Sequence, residues 1–286
     1  MIISKIYGGL GNQMFQYAIG KSLSIENNLN FKIDVFKMEG YDLRDFSLNM
    51  LNISADLANK NEIEKYHKNK YIDYILRALF KKNFRLSNKF FEKDEFEYNE
   101  IDVDKKEVYL DGYWQSFKYF ENIRETLIKE FTLKGNLNLK NKDVLKRINS
   151  TNSVSIHIRR GDYVNVSKNK SIYNVFGMEY YQKAIKYINQ NIDDPYFFVF
   201  SDDINWCKEN LILNNALYVD ANLNSSFECD MILMSKCEHN IIANSTFSWW
   251  GAWLNQNSDK IVIAPKRWMS TIEYLDDLYP KEWIKL

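Results

Sequence analysis

Val154-Ser155-Ile156-His157-Ile158-Arg159-Arg160-Gly161-Asp162 decides the fold class of this chain. The first five residues, rich in β-branched side chains, read as a buried strand. The strand ends abruptly in two guanidiniums, a glycine and a carboxylate, with His157 just before them. In open α/β sheets, ligands bind in the crevice outside the carboxyl ends of the strands. Two adjacent arginines there are poor core residues but good partners for a diphosphate, since each guanidinium offers a planar fork of donors. An ion-paired strand end, with Asp162 neutralising one arginine, accounts for the same residues.

The neighbouring sequence extends the pattern. A helix at 179–189, a strand at 196–200, a helix at 204–211 and a strand at 216–219 follow. A helix at 227–237, a strand at 240–243, a helix at 247–254 and a strand at 260–264 close the series. Strands alternating with helices of about ten residues imply βαβ units and a parallel sheet. The chain opens the same way, with a strand at 2–7, a tight loop Gly8-Gly9-Leu10-Gly11 and a helix at 12–26. Phe15, Ala18, Ile19, Ser22 and Leu23 give that helix one face. A strand at 29–35 comes next, then polar residues 40–105, which read as an insertion with several helices. A strand at 108–113 and a helix at 117–131 precede the polar stretch 135–149, the expected domain junction. The expectation is an α/β chain of two Rossmann-like domains facing a cleft, 1–145 and 146–286, with the last helix packing back on the first.

Composition bounds the function. The 286 residues carry 38 basic and 38 acidic side chains, so bulk electrostatics does not point to nucleic acid. A hydrophobic content of 45% supports a core rather than disorder. Cys207, Cys229 and Cys237 form no CxxC pair, and three is an odd number, so a reducing compartment is expected. Neither a signal peptide nor an apolar run long enough to span a membrane is visible.

Three further motifs fall at predicted strand ends. Gly9-Leu10-Gly11-Asn12-Gln13-Met14 has Met14 where a dinucleotide fingerprint has its third glycine, and it lacks GK[ST]. It remains a strand-to-helix turn in which Asn12 either caps the helix or aims its amide at a ligand. In Phe200-Ser201-Asp202-Asp203, one carboxylate can cap the next helix, and Asp202 or Asp203 suits the N1 and N2 edge of guanine. Ala243-Asn244-Ser245-Thr246-Phe247-Ser248-Trp249-Trp250-Gly251 puts hydroxyls and backbone N–H groups where a phosphate sits, or forms an N-cap ahead of core tryptophans. The last two, together with the His157–Asp162 strand end, make three loops on one sheet edge in the second half and favour a nucleotide crevice.

Other patterns are weaker. Asp102-Val103-Asp104 matches a metal-chelating DxD but lies in a charged stretch and reads as solvated surface. His67 and His239 have no zinc-site spacing. Residues 71–86, with Ile72, Ile75, Leu76, Leu79 and Phe80 against Arg77, Lys81, Lys82 and Arg85, read as a basic amphipathic helix. Such a helix packs on the core or rests on an anionic membrane surface.

Read together, Gly8-Gly9-Leu10-Gly11-Asn12-Gln13-Met14-Phe15-Gln16-Tyr17-Ala18, His157-Ile158-Arg159-Arg160-Gly161-Asp162 and Asn244-Ser245-Thr246-Phe247-Ser248-Trp249-Trp250-Gly251-Ala252-Trp253 resemble the bacterial-type α-1,2-fucosyltransferases of glycosyltransferase family 11. Gly112-Tyr113-Trp114-Gln115-Ser116 and Phe200-Ser201-Asp202-Asp203 also resemble that family. The resemblance spans residues 5–265, and five motifs in the same order make it specific.

It implies a GT-B fold whose first domain faces the acceptor and whose second binds the donor. It also implies metal-free, inverting transfer from GDP-β-L-fucose to the 2-hydroxyl of a galactose-type glycan. By the same resemblance, Arg159 and Arg160 bind the diphosphate, His157 lies beside the nucleotide, and Asp202 or Asp203 reads guanine. Ser245, Thr246, Phe247 and Ser248 line the phosphate and fucose pocket, and Asn12 with Gly9 and Gly11 closes the cleft. Asp162 is the carboxylate inside the motif, as base or as orienter of an arginine; residues 164–167 supply no glutamate. The implied setting is cytoplasmic synthesis of O-antigen or a similar surface glycan, with a lipid-linked acceptor and contact at the inner membrane. A transferase for another GDP-linked deoxy or L-sugar, and a non-catalytic sugar-nucleotide or glycan-binding protein, are the alternatives.

Overall fold

The computed structural model describes residues 1–36, 45–66, 84–86, 88–92, 96–103, 107–161, 177–223, 226–270 and 275–286. The chain forms two compact units, Met1–Thr132 with Asp276–Pro280, and Leu133–Leu275 with Lys281–Leu286.

The first unit runs β1 (Ile2–Lys5), α1 (Leu10–Asn27), β2 (Phe31–Asp34), β3 (Asp56–Leu57), α2 (Lys60–Glu64), β4 (Phe84–Leu86), β5 (Lys89–Phe91), β6 (Val108–Asp111) and α3 (Arg124–Glu130). Its sheet order is β3-β2-β1-β6-β5-β4. All neighbours are parallel except the β4–β5 hairpin, a departure from an all-parallel Rossmann sheet. α1 begins at Leu10, so Gly11 and Asn12 are helical and Gly9, not Asn12, is the N-cap. The helix expected at 117–131 is broken into two 3-10 turns, Phe117–Tyr119 and Glu121–Ile123, ahead of α3. The break falls at Phe120, whose φ of −149° and ψ of 10° lie outside the helical region and whose buried ring meets Phe15 at 5.7 Å.

The second unit runs α4 (Leu139–Ile148), β7 (Asn152–Ile158), α5 (Met178–Asn191), β8 (Pro195–Ser201), α6 (Ile204–Asn210), β9 (Ala216–Tyr218), α7 (Phe227–Lys236), β10 (His239–Ile241), α8 (Thr246–Trp253), β11 (Val262–Ala264) and β12 (Ile284–Lys285). Its all-parallel sheet has the order β12-β11-β10-β7-β8-β9. Val154, Ile156 and Ile158 point from β7 onto Tyr180, Tyr181, Ala184 and Ile188 of α5 and onto Ile204 and Cys207 of α6. The alternate residues Ser155 and His157 face the other side, where Asn240 donates to Ser155 Oγ at 2.7 Å. Both faces are therefore covered, as a central parallel strand requires. Trp249, Trp250 and Trp253 of α8 pack on one another and on Trp283, at centroid distances of 5.0–6.0 Å.

The boundary falls after Thr132, earlier than the expected 145, because α4 belongs to the second unit. Asn141 on α4 exchanges amide hydrogen bonds of 2.8 and 2.9 Å with Asn222. The chain returns to the first unit at Asp276–Pro280 as a turn, where Asp277 accepts from the Tyr98 N–H at 2.8 Å and from Lys118. Of the amphipathic stretch 71–86, residues 71–83 lie outside the described residues, and Phe84–Leu86 is strand. No described helix is long and apolar enough to cross a membrane. The three cysteines are buried and free.

Asn222 also donates to Asp230 Oδ1 at 2.6 Å. Burial raises the Asp230 carboxyl to about 7, helped by Glu228 and opposed by the Asn222 bond. A folded-state pKa above the unfolded value means that the folded chain holds the extra proton, so this contribution is lost as pH rises from about 4 towards 7. Asp230→Asn removes the titration. The melting temperature of the variant should rise relative to the parent, with a gain that grows from pH 5 to pH 8. A difference independent of pH would contradict the assignment.

Candidate functional site

The chain runs β7 to β8 to β9 on one side of the second sheet, then crosses to place β10 on the other side of β7. Strand order reverses between β7 and β10, and the carboxyl ends at such a point form a ligand crevice. Arg159 and Arg160 leave β7 there, Asp202 and Asp203 leave the adjacent β8, and Asn244 to Ser248 lead from β10 into α8. The register pairs Ile158 with Ser201 and Ile156 with Ile241, bringing the three loops to one edge.

The arginines are held in place by the aspartates. Arg159 Nη1 lies 2.9 Å from Asp202 Oδ2, and Asp202 Oδ1 accepts from the Arg160 N–H at 2.9 Å. A Cβ on Gly161 would sit 2.8 Å from Asp202 Oδ2, so glycine is what admits this carboxylate. Arg160 Nε donates to Asp203 Oδ2 at 3.3 Å, and its guanidinium lies 3.7 Å from the Trp206 ring centre. The other oxygen of Asp203 caps α6 by accepting from the Trp206 N–H at 3.2 Å. The ion-pair and anion-site readings are thus compatible. Asp203 is the capping carboxylate, and Asp202 spends both oxygens on the arginine segment. Guanine recognition by either aspartate would require exchange or sharing of these bonds.

His157 is buried, its Nδ1 has no hydrogen-bond partner among the described residues, and its ring packs 5.7 Å from Phe247. Burial lowers its pKa to about 4 against the pull of Asp202, with Arg159 lowering it further. The imidazole is therefore neutral at pH 7 and adds no charge to the site. Asn244 is structural: its amide donates to the Trp268 carbonyl at 2.8 Å. Ser245 is the N-cap of α8 but makes no side-chain cap bond, and Thr246 and Phe247, half-buried, open the helix. A helix start without a capping side chain, on the same sheet edge as two guanidiniums, suits an anion.

Gly9, Gly11 and Asn12 sit on the first unit, where Asn12 Oδ1 accepts from Gln115 Nε2 at 3.1 Å. Asp162 lies outside the described residues, as do Asp104 and His67. Asp102 is exposed, and His239 Nδ1 accepts from the Ile261 N–H. Sequence reasoning missed two residues here. Trp206, three positions after the capping Asp203, carried a signal in its helical spacing. Glu92, whose carboxylate binds the backbone of Tyr113 and Trp114, carried none within its polar stretch.

The model of glycosyl transferase family 11 matches residues 2–286. The chain is 38% identical over 291 residues to an alpha-1,2-colitosyltransferase of Escherichia coli, covering 100% of this chain and 99% of that protein. It is 36% identical over 293 residues to the O-antigen biosynthesis glycosyltransferase WbnK of Escherichia coli, covering 93% and 94%. The crystal structure of fucosyltransferase NodZ from Bradyrhizobium matches with a TM-score of 0.53 at 12% identity, over 87% of this chain and 91% of that one. At that identity the likeness speaks for the fold, which is α/β and GT-B-like with two sheet-based domains.

Proposed function

From the premise that the chain belongs to glycosyl transferase family 11, we propose that it transfers L-fucose from GDP-β-L-fucose, with inversion, to the 2-hydroxyl of a terminal galactose-type acceptor. The observation that carries this reading is the Arg159-Arg160 strand end, braced by Asp202 and Asp203, on the sheet edge where α8 begins. As the sugar leaves, negative charge builds on the diphosphate. Fixed guanidinium and backbone N–H donors stabilise that charge without reorganising, which is why no metal is needed in this scheme. Asp162 is the proposed base for the acceptor hydroxyl. The product is a surface glycan such as O-antigen, made at the cytoplasmic face of a membrane, in keeping with the relative named for O-antigen biosynthesis.

The 38% identity to a colitosyltransferase favours a second reading, in which the same α-1,2 linkage is made with a GDP-linked colitosyl donor. Release of the nucleoside diphosphate, GDP or UDP, should be measured with GDP-fucose, GDP-colitose, GDP-mannose and UDP-galactose, with and without lactose. The first reading expects lactose-dependent release from GDP-fucose. Release from GDP-colitose alone transfers the assignment to the second, and product from UDP-galactose alone overturns both. EDTA should change the rate little; a large loss restored by added metal would overturn metal independence.

A further inference from the structure

The first unit has its own point of strand-order reversal, between β1 and β6, and the loops that leave these strands meet there. Tyr7 follows β1 and Tyr113 follows β6; both are half-buried, and their rings lie 4.7 Å apart at 50°. Gly8 lies between them and Asn12: a Cβ on it would be 3.1 Å from Asn12 Nδ2 and 3.6 Å from Tyr113 Cε1. The bond from Gln115 to Asn12 Oδ1 orients that amide with Nδ2 on the Gly8 and Tyr113 side.

The turn that presents Tyr113 is held in a costly shape. Trp114 has φ of 58°, a left-handed conformation that is strained for a residue other than glycine. The Glu92 carboxylate holds it there, accepting from the Tyr113 N–H and, at 2.8 and 2.7 Å, from the Trp114 N–H. A Cβ on Gly112 would lie 2.3 Å from Glu92 Cβ, so glycine alone admits the clamp. Trp114 Nε1, Gln115 Oε1 and Ser116 Oγ are buried in this turn without hydrogen-bond partners among the described residues. Buried polar atoms are normally satisfied, and exceptions with local strain gather at binding sites.

An aromatic face beside an oriented amide suits a pyranose ring. The sugar's C–H face packs against the electron-rich ring, and its vicinal hydroxyls suit an amide side chain at its rim. We propose that Tyr113, supported by Tyr7 and flanked by Asn12, receives the acceptor sugar, and that Glu92 is the positioning residue that holds the 112–116 turn for it. This deepens, and rests on, the glycosyl-transfer reading above.

The test is steady-state transfer to lactose by the full chain. Tyr113→Ala should raise the lactose KM about tenfold or more, with kcat changed far less and GDP affinity by titration within about twofold. Glu92→Gln should move KM in the same direction; a loss of folded protein would lower apparent kcat and leave KM unchanged. A Tyr113→Ala variant with parental KM, or one that loses GDP affinity in parallel, overturns the proposal. If the parent transfers no sugar from any donor, the glycosyl-transfer reading has failed by itself. The subsite is then decided by saturation-transfer NMR with methyl β-D-galactoside. Signal in the parent that is lost in Tyr113→Ala supports it, and equal signal in both, or none in either, overturns it.

Discussion

Arg160→Ala should lower turnover of the GDP-sugar by about 100-fold or more while the chain stays folded. Arg160 is the better placed of the two arginines for the developing charge. Its Nε is committed to Asp203 and its plane is laid on Trp206, while its two Nη groups make no hydrogen bond among the described residues. That leaves one edge of the fork as donors, already oriented, for a diphosphate. The side chain is one-quarter exposed and its partner Asp203 more so, so removing the pair costs little stability. Arg160→Lys keeps the charge but loses the fork and the stacking, and should recover only part of the rate. The checks are kcat at saturating donor and acceptor, GDP affinity, and a melting curve for each variant. Near-parental turnover in Arg160→Ala would remove the arginine from the mechanism.

The same residues show what a sequence discloses and what it hides. His157 to Gly161 could be read as a strand end because Val154, Ile156 and Ile158 are buried on one face and the run is short. The pairing of Arg159 with Asp202 and of Arg160 with Asp203 joins residues about forty positions apart, and only the β7–β8 register brings them together. Identity of residue types on one sheet edge was legible; the sharing of hydrogen bonds was not. The Glu92 clamp is the extreme case, since it depends on a glycine, a left-handed Trp114 and a carboxylate just beyond the end of β5.

The second unit was legible almost strand by strand, because parallel strands covered on both faces read as apolar runs. The exception is β12, a two-residue strand whose existence depends on pairing with β11 through the C-terminus. The first unit was harder. The β3 residues Asp56 and Leu57 are both exposed, and β5 carries a buried lysine, so neither shows an apolar alternation. Short polar strands of this kind are fixed by their neighbours rather than by propensity.

That buried lysine leads to the second large effect. Lys5 at the end of β1 lies 2.7 Å from Asp111 at the end of β6, and Lys89 of β5 approaches the other carboxylate oxygen at 3.8 Å. All three side chains are buried, so one carboxylate serves two ammonium groups in a medium that screens charge poorly. Removing one partner of a buried pair costs about 3–5 kcal/mol, because the charge left behind is held out of water. Asp111→Asn should therefore lower the melting temperature by on the order of 10 °C or more. Lys89→Met is the informative companion. It keeps an aliphatic stem over Phe91 and Tyr109, which the Lys89 ammonium approaches at 4.6 and 5.4 Å, and leaves the Lys5–Asp111 pair intact. Its cost should stay below about 1.5 kcal/mol. If the two variants melt together, shared charge is not what holds these strand ends. If only Asp111→Asn collapses, the carboxyl edge of the first sheet, next to the Tyr7 and Gly8 loop, depends on the carboxylate that the lysines of β1 and β5 share.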